Sequence, residues 1–426
     1  MLSLALLSLG IASMASPALA APAPHESAAP GNCSGSSDAP RTLFFSSVNY
    51  TGSATFDPAA NTLEVASNDT HEEVASWLLL GTNLVYSNHE VGSDVHVKQI
   101  GEGNALTEVQ AINGSAGLVH FEFNADKTAL FGAGFTAGDI SIFDVGADGQ
   151  LSNHRALKTV GAMGPDKVRQ LSAHAHQVVR DPTGEFFVVN DLGLDSITVV
   201  GKQSADTDYE VLGSVNSTQT GSGPRHGAFF PVGIRQATHY FLVCEMFNIV
   251  EIFEVSYPDG VLTLAQTGKT LSTYPTEGEF VLQPPAEGEI NGFAAEIFVS
   301  HDNAHVYVTN RISGNPTDSI AHFTISGIES EETENEIVTT IGDISLELTD
   351  LISTGGVNPR MFSLSRDGNY VYLGNQNKAV NAEDGEGKGL VVFKRDAETG
   401  LLEEVASLPY TSITGGSVGV QFVQEF

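Results

Sequence analysis

The sequence predicts an all-β fold: a seven-bladed β-propeller with four antiparallel strands per blade, closed by pairing of its N- and C-terminal strands. Three observations lead there. Short runs rich in Val, Ile, Phe and Tyr are punctuated by Asp, Asn and Gly turns, with no long amphipathic helix among them. Hairpins of one kind recur seven times, and a second kind lies between them but is continuous only six times. The halves of the missing seventh sit far apart, TLFFSSV at 42–48 and SVGVQFV at 417–423. A ring whose last blade is shared between its two ends accounts for all three, because closure pairs edges that would otherwise stay open.

In chain order, residues 1–20 (MLSLALLSLGIASMASPALA) read as a secretory signal, an apolar core followed by the small-x-small site Ala18-Leu19-Ala20. Residues 21–40, a Pro/Ala/Ser/Gly stretch, read as a disordered tail, and residues 41–426 as the propeller domain. The outer hairpins span 54–66, 95–110, 140–155, 197–213, 250–266, 320–340 and 390–406. The inner ones span 77–90, 118–134, 176–191, 226–245, 295–311 and 361–376. Each inner pair turns through a polar tip such as DPTG, so Asp181, Asp302 and Asp367 are assigned to turns and not to chemistry. At about 55 residues per blade the repeat is longer than the ~40–45 of WD40 units, and no WD dipeptide is present.

The formal net charge of −33 is scattered along the chain and disfavours binding to nucleic acid or to anionic lipid surfaces. No later stretch approaches the ~20 apolar residues of a membrane span. An extracellular protein is therefore expected, with N-glycosylation sequons at Asn32, Asn49, Asn68, Asn113 and Asn216, and association with the cell wall or surface is compatible with that location. The two cysteines, Cys33 and Cys244, read as one exposed and one buried free thiol. No Cys/His spacing suggests a metal, and no cofactor is expected.

Inner strands of a propeller surround its axis, so the open ends of the inner hairpins form one ring. Strand starts bring His120, His176, His226 and Glu296 to it, with His174, Arg225 and Arg360 just before such starts. Returning strands end on His89, Asp191, Glu245, Arg311 and Gln376. Singly, each has an ordinary explanation: a hydrogen-bonded structural His, a blade-to-blade ion pair, or, for Glu296, a carboxylate that orients an Arg. Their coincidence in register, in a chain with only 19 Lys and Arg, points to a site. Two arginines converging without obligatory partners would call for an anionic ligand.

These residues also carry a resemblance. His174-Ala175-His176-Gln177 with DPTG, GSGPRHGAFFP (221–231), AAEIFVS (294–300), YVTNR (307–311) and NPRMFSLSRDGNYVYLGNQ (358–376) resemble the lactonase propeller family over roughly residues 42–423. That family includes bacterial-type 6-phosphogluconolactonases and fungal 3-carboxy-cis,cis-muconate cyclases. The resemblance implies a metal-independent site at the channel mouth, with catalytic His176, Arg225, Glu245 and Arg311. His174, Asp191, His226, Glu296 and Arg360 are then the expected substrate contacts. Arginines suit carboxylates and His176 suits proton transfer. The expected activity is formation or opening of a lactone on a small polycarboxylate. The alternatives are sugar-lactone hydrolysis and a non-catalytic binding or adhesion propeller, and the complete Arg/His/Glu set favours an enzyme.

Overall fold

The computed structural model describes residues 39–204, 206–284, 291–332, 337–380, 387–414 and 419–426. The expected signal segment, most of the tail, Asn32 and Cys33 lie outside the described residues. Among those described, the regular structure is β-strand apart from two short 3-10 turns and one five-residue helix, Tyr410–Thr414. No helix there is long and apolar enough to cross a membrane.

Seven antiparallel sheets follow one another around the ring as blades. Six are four-stranded meanders, within 78–113, 118–158, 175–216, 224–272, 293–353 and 361–409, numbered here as blades 1 to 6. The seventh closes the ring as expected: Val420–Glu425 pairs with the start of Arg41–Asp57, in the register Leu43↔Glu425 and Phe45↔Val423. It departs from expectation in having three strands. Arg41–Asp57 is one 17-residue strand whose first part pairs inward and whose second part pairs outward with Thr62–Val74. The sequence SSVNYTGSA between these parts bends without reversing. Asn49 takes a left-handed φ of 65° between the Val48 and Tyr50 pairs, and a further register shift follows at Ser53/Ala54.

Blades pack face to face through alternating apolar side chains. Phe230, Phe241, Val243 and Ile252 of blade 4 meet Ile297, Val306, Val308 and Phe323 of blade 5. Phe45, Phe56, Val420 and Val423 of the closing blade meet Tyr372, Leu390 and Val392 of blade 6. Each such buried side chain contributes about 1.5–3 kcal/mol, so every blade is held chiefly by its neighbours. The inner turns are fixed by their own side chains. The Asp181 carboxylate accepts from the Thr183 hydroxyl and from the Phe186 backbone N–H at 2.9 Å. Asp302 and Asp367 accept from Ser300 and Ser365 in the same way. Asn49, Asn68, Asn113 and Asn216 are exposed, and Asn68 Nδ2 donates to the Ile413 carbonyl. Cys244 is buried with a free thiol.

Candidate active site

The innermost strands supply the site through one repeated irregularity. In blades 2 to 5 the ladder between the first two strands skips residues near its start: Val119, His176, Arg225 with His226, and Ala295 with Glu296. A residue left out of the ladder bends its strand and re-aims its side chain. The result is a cluster of imidazoles from three successive blades. His226 lies 5.1 Å from His176 and 5.6 Å from His120, both edge to face. Trp77, the chain's single tryptophan, lies against them, 4.1 Å from His120 and 5.8 Å from His226.

Beside the imidazoles stands a group of ion pairs centred on Glu245. Its Oε2 accepts from Arg225 Nε at 2.9 Å and from Arg311 Nη2 at 2.8 Å, and its Oε1 accepts from Arg169 Nη2. Burial opposes the ionised carboxylate, but Arg311, Arg225 and Arg169 together hold it at about 2. Burial, then the charge of Arg311, push Arg225 downward, yet a guanidinium so paired stays charged. Arg360 is gripped bidentately by Glu90, at 2.8 and 2.9 Å. Four arginines thus face two ionised carboxylates, Glu245 and Glu90, and the site carries net positive charge inside a chain of −33.

The expected catalytic set, His176, Arg225, Glu245 and Arg311, is brought together. Its arginines do not await a ligand unpaired, however, because both already bond Glu245. Arg225 Nη1 is nevertheless buried without a hydrogen-bond partner. His226 and Arg360 also belong to the site. Glu296 does not orient an arginine: His226 Nδ1 meets its two oxygens at 2.9 and 3.0 Å. Burial raises the Glu296 carboxyl above its usual range and lowers His226, so the pair is a neutral hydrogen-bonded unit. Asp191 is buried and braces the hairpin mouth, its carboxylate accepting from the Thr159 hydroxyl and the His174 and Leu194 backbone N–H groups. His174 stacks on Phe135 at 4.3 Å and bonds its carbonyl, marking the rim.

Three contributors escaped the sequence reading. Arg169 comes from the patternless connection between blades 2 and 3 and lies 5.2 Å over the Phe293 ring. Glu90 directly follows the strand end singled out at His89. Trp77 immediately precedes the inner strand Leu78–Leu80, and its being the only tryptophan was the available signal. Burial, then the charges of Arg225 and His226, push His176 well below 6.5, so it is neutral at pH 7.

Arg225, His176, His226, Arg360, Trp77 and Ser76 line a small cavity with room for about one water molecule. Three of these residues each carry a buried nitrogen without a partner: Arg225 Nη1, His176 Nδ1 and His226 Nε2. The opposite opening of the channel leads to a cavity of about 320 Å³, lined by His120, Glu122, Arg180, Phe229 and Phe422 among others.

Among relatives, a probable 6-phosphogluconolactonase of Arthroderma benhamiae is 27% identical over 363 residues, 83% of this chain and 82% of the relative. A 6-phosphogluconolactonase of Formosa agariphila is 24% identical over 311 residues, 72% and 74% of the two chains. The fold is shared by the solved structure of a periplasmic gluconolactonase of Pseudomonas aeruginosa. That match has a TM-score of 0.68 and 20% identity, and covers 91% of this chain and 99% of that one. The family model for the lactonase seven-bladed β-propeller matches residues 49–414. Propeller closure, the ring of inner-strand residues and that match give one conclusion: the chain belongs to the lactonase seven-bladed β-propeller family.

Proposed function

We propose that the protein hydrolyses a small anionic lactone at this site, a phosphorylated or carboxylated sugar lactone before a carboxymuconate. The observation that carries the reading is the convergence of Arg225 Nη1, His176 Nδ1 and His226 Nε2, three unpartnered buried nitrogens, beside one small cavity. A buried donor without an acceptor costs about 1–3 kcal/mol, so the site is built for a ligand oxygen. The relatives named as 6-phosphogluconolactonases favour the sugar lactone over cyclisation of a muconate.

In this reading the substrate's anionic group docks among Arg311, Arg360 and Arg169. Its charge offsets the cations that depress His176, and the imidazole becomes a better base in the complex than in the free protein. His176 then removes a proton from water as the water oxygen attacks the lactone carbonyl carbon. Arg225 Nη1 donates to the oxyanion. On collapse the ring C–O bond breaks and the imidazolium returns its proton to the departing alkoxide, leaving an open hydroxy acid. Glu245 holds Arg225 and Arg311 at a fixed separation throughout.

The test is an assay of purified protein on 6-phosphogluconolactone, gluconolactone and a carboxymuconolactone by proton release, and on carboxymuconate by ultraviolet absorbance. Opening of a sugar lactone above its uncatalysed rate is the expected result. Cyclisation alone would make the protein a cyclase. Saturable quenching of Trp77 by an acid without turnover of any substrate would make it a binding propeller. We also propose export, with a mature N-terminus at Ala21 and glycans on the exposed sequons. Full-length, unglycosylated protein retained inside the producing cell would refute that.

A further inference from the structure

Beside the mouth, the connection between the second and third strands of blade 1 gathers a second group of ligating side chains. His89 ends the approach from strand Leu84–Asn88, and Asp94 opens strand Asp94–Ile100, so the two face each other across the turn with Nδ1 and Oδ2 3.6 Å apart. His96, two residues further, points to the same side of the sheet as Asp94. One nitrogen of each imidazole and one carboxylate oxygen lie within 4.8 Å of one another, and among the described residues no other group of three such side chains does so. The spacing His-x4-Asp-x-His is not a helical or knuckle signature, which is why the sequence reading expected no metal; only the hairpin brings it together.

Two further observations point to a ligand. His96 Nδ1 is engaged by Glu108 Oε2 at 2.6 Å, leaving Nε2 as the free nitrogen, and that atom is buried with no partner. Ser87 lies directly opposite His96 in the ladder, is wholly buried, and its hydroxyl is also without a partner. A carboxylate bonded to the far nitrogen of an imidazole is the arrangement that orients a metal-ligating histidine. Asp94 is 44% exposed on its side chain, so an ion can enter from solvent. The turn is also built around His89, because a Cβ on Gly92 would lie 2.4 Å from its Nδ1.

We propose that His89, Asp94 and His96 bind one divalent transition ion of the zinc type, with Glu108 as the orienting carboxylate and a water in the remaining position. Two imidazoles and a carboxylate are the donor set for such ions and not for calcium or magnesium. The ion would fasten the turn that carries Glu90, and through Glu90 the seat of Arg360.

The experiment titrates chelator-treated full-length protein with Zn²⁺ by calorimetry and with Co²⁺ by visible absorption. One equivalent should bind, with cobalt bands of a low-coordinate N/O site and an upward shift in melting temperature. Binding should disappear in His96→Ala and in Asp94→Asn, whose exposed position keeps the test independent of folding. Glu108→Gln should weaken it about 10–100-fold. Absence of saturable Zn²⁺ binding at submillimolar concentration overturns the proposal. So does unchanged stoichiometry in the folded His89→Ala/His96→Ala protein, which would place the ion elsewhere.

Discussion

His176 and Arg225 share one cavity but should fail differently. Loss of a positioned proton acceptor lowers turnover by about 10²–10⁴-fold, so His176→Ala should reduce kcat with little change in KM. Arg225→Ala removes the oxyanion donor and frees Glu245, which also holds Arg311 at the seat of the anion, so it should raise KM as well as lower kcat. Equal kinetics for His176→Ala and the parent protein would remove the imidazole from the mechanism. At the far end of the channel Glu122 gives a pH signature. Burial raises its carboxyl to about 7 against the pull of Arg180. The folded state therefore holds a proton that the unfolded state loses near pH 4.5, and this contribution to stability is present in acid and lost as pH rises towards 7. Glu122→Gln should accordingly gain on the parent protein, by on the order of 2 kcal/mol, between pH 5 and pH 8. Denaturant titrations at both pH values measure it, and a pH-independent difference would contradict it.

Between residue and blade, Asp195 fastens two segments of the site. It takes a left-handed φ of 47°, and its carboxylate accepts from Gln170 Nε2 at 2.6 Å and from the Gly221 and Gly223 backbone N–H groups at 2.5 and 3.0 Å. Gln170 adjoins Arg169, and Gly223 leads through Pro224 into Arg225. Asp195→Ala leaves three buried donors without an acceptor and forces a β-carbon residue of no αL preference into that turn. A loss of about 2–4 kcal/mol follows, with a fall in kcat/KM because both arginines lose their footing. Asp195→Asn keeps the conformation and one acceptor oxygen and should recover most of both, as chemical denaturation and steady-state kinetics would show. Little of this was legible beforehand. The hairpins, their Asp-led turns and the ring of inner-strand residues follow from period-two patterning and turn chemistry. The path of residues 159–174, which delivers Arg169, has no periodicity to read. The roles of Asp191 and Glu296 depended on which neighbour lay nearest, backbone N–H for one and His226 for the other.

At the scale of the molecule, ring closure was legible because the split hairpin left its halves at the two ends of the chain. That the closing blade has three strands was not, because SSVNYTGSA contains turn-forming residues that here only bend a strand. Closure rests on few residues. Val420, Phe422 and Val423 are buried, and Phe426 meets Phe44 edge to face at 5.4 Å. Removing residues 419–426 forfeits several contributions of about 1.5–3 kcal/mol each, against a typical domain stability of about 5–15 kcal/mol, and opens the inner edge of Arg41–Asp57. The truncated chain should melt far below the parent or self-associate through that edge; an unchanged melting temperature with a monomeric elution volume would refute the clasp. The inner-strand bulges have a different consequence, for how such a molecule can change. Residues skipped by the ladder contribute little to blade pairing, so the side chains they present can be exchanged without disturbing register. Selection can therefore rewrite what this channel accepts one blade at a time, while the sheets that carry it keep the same partners.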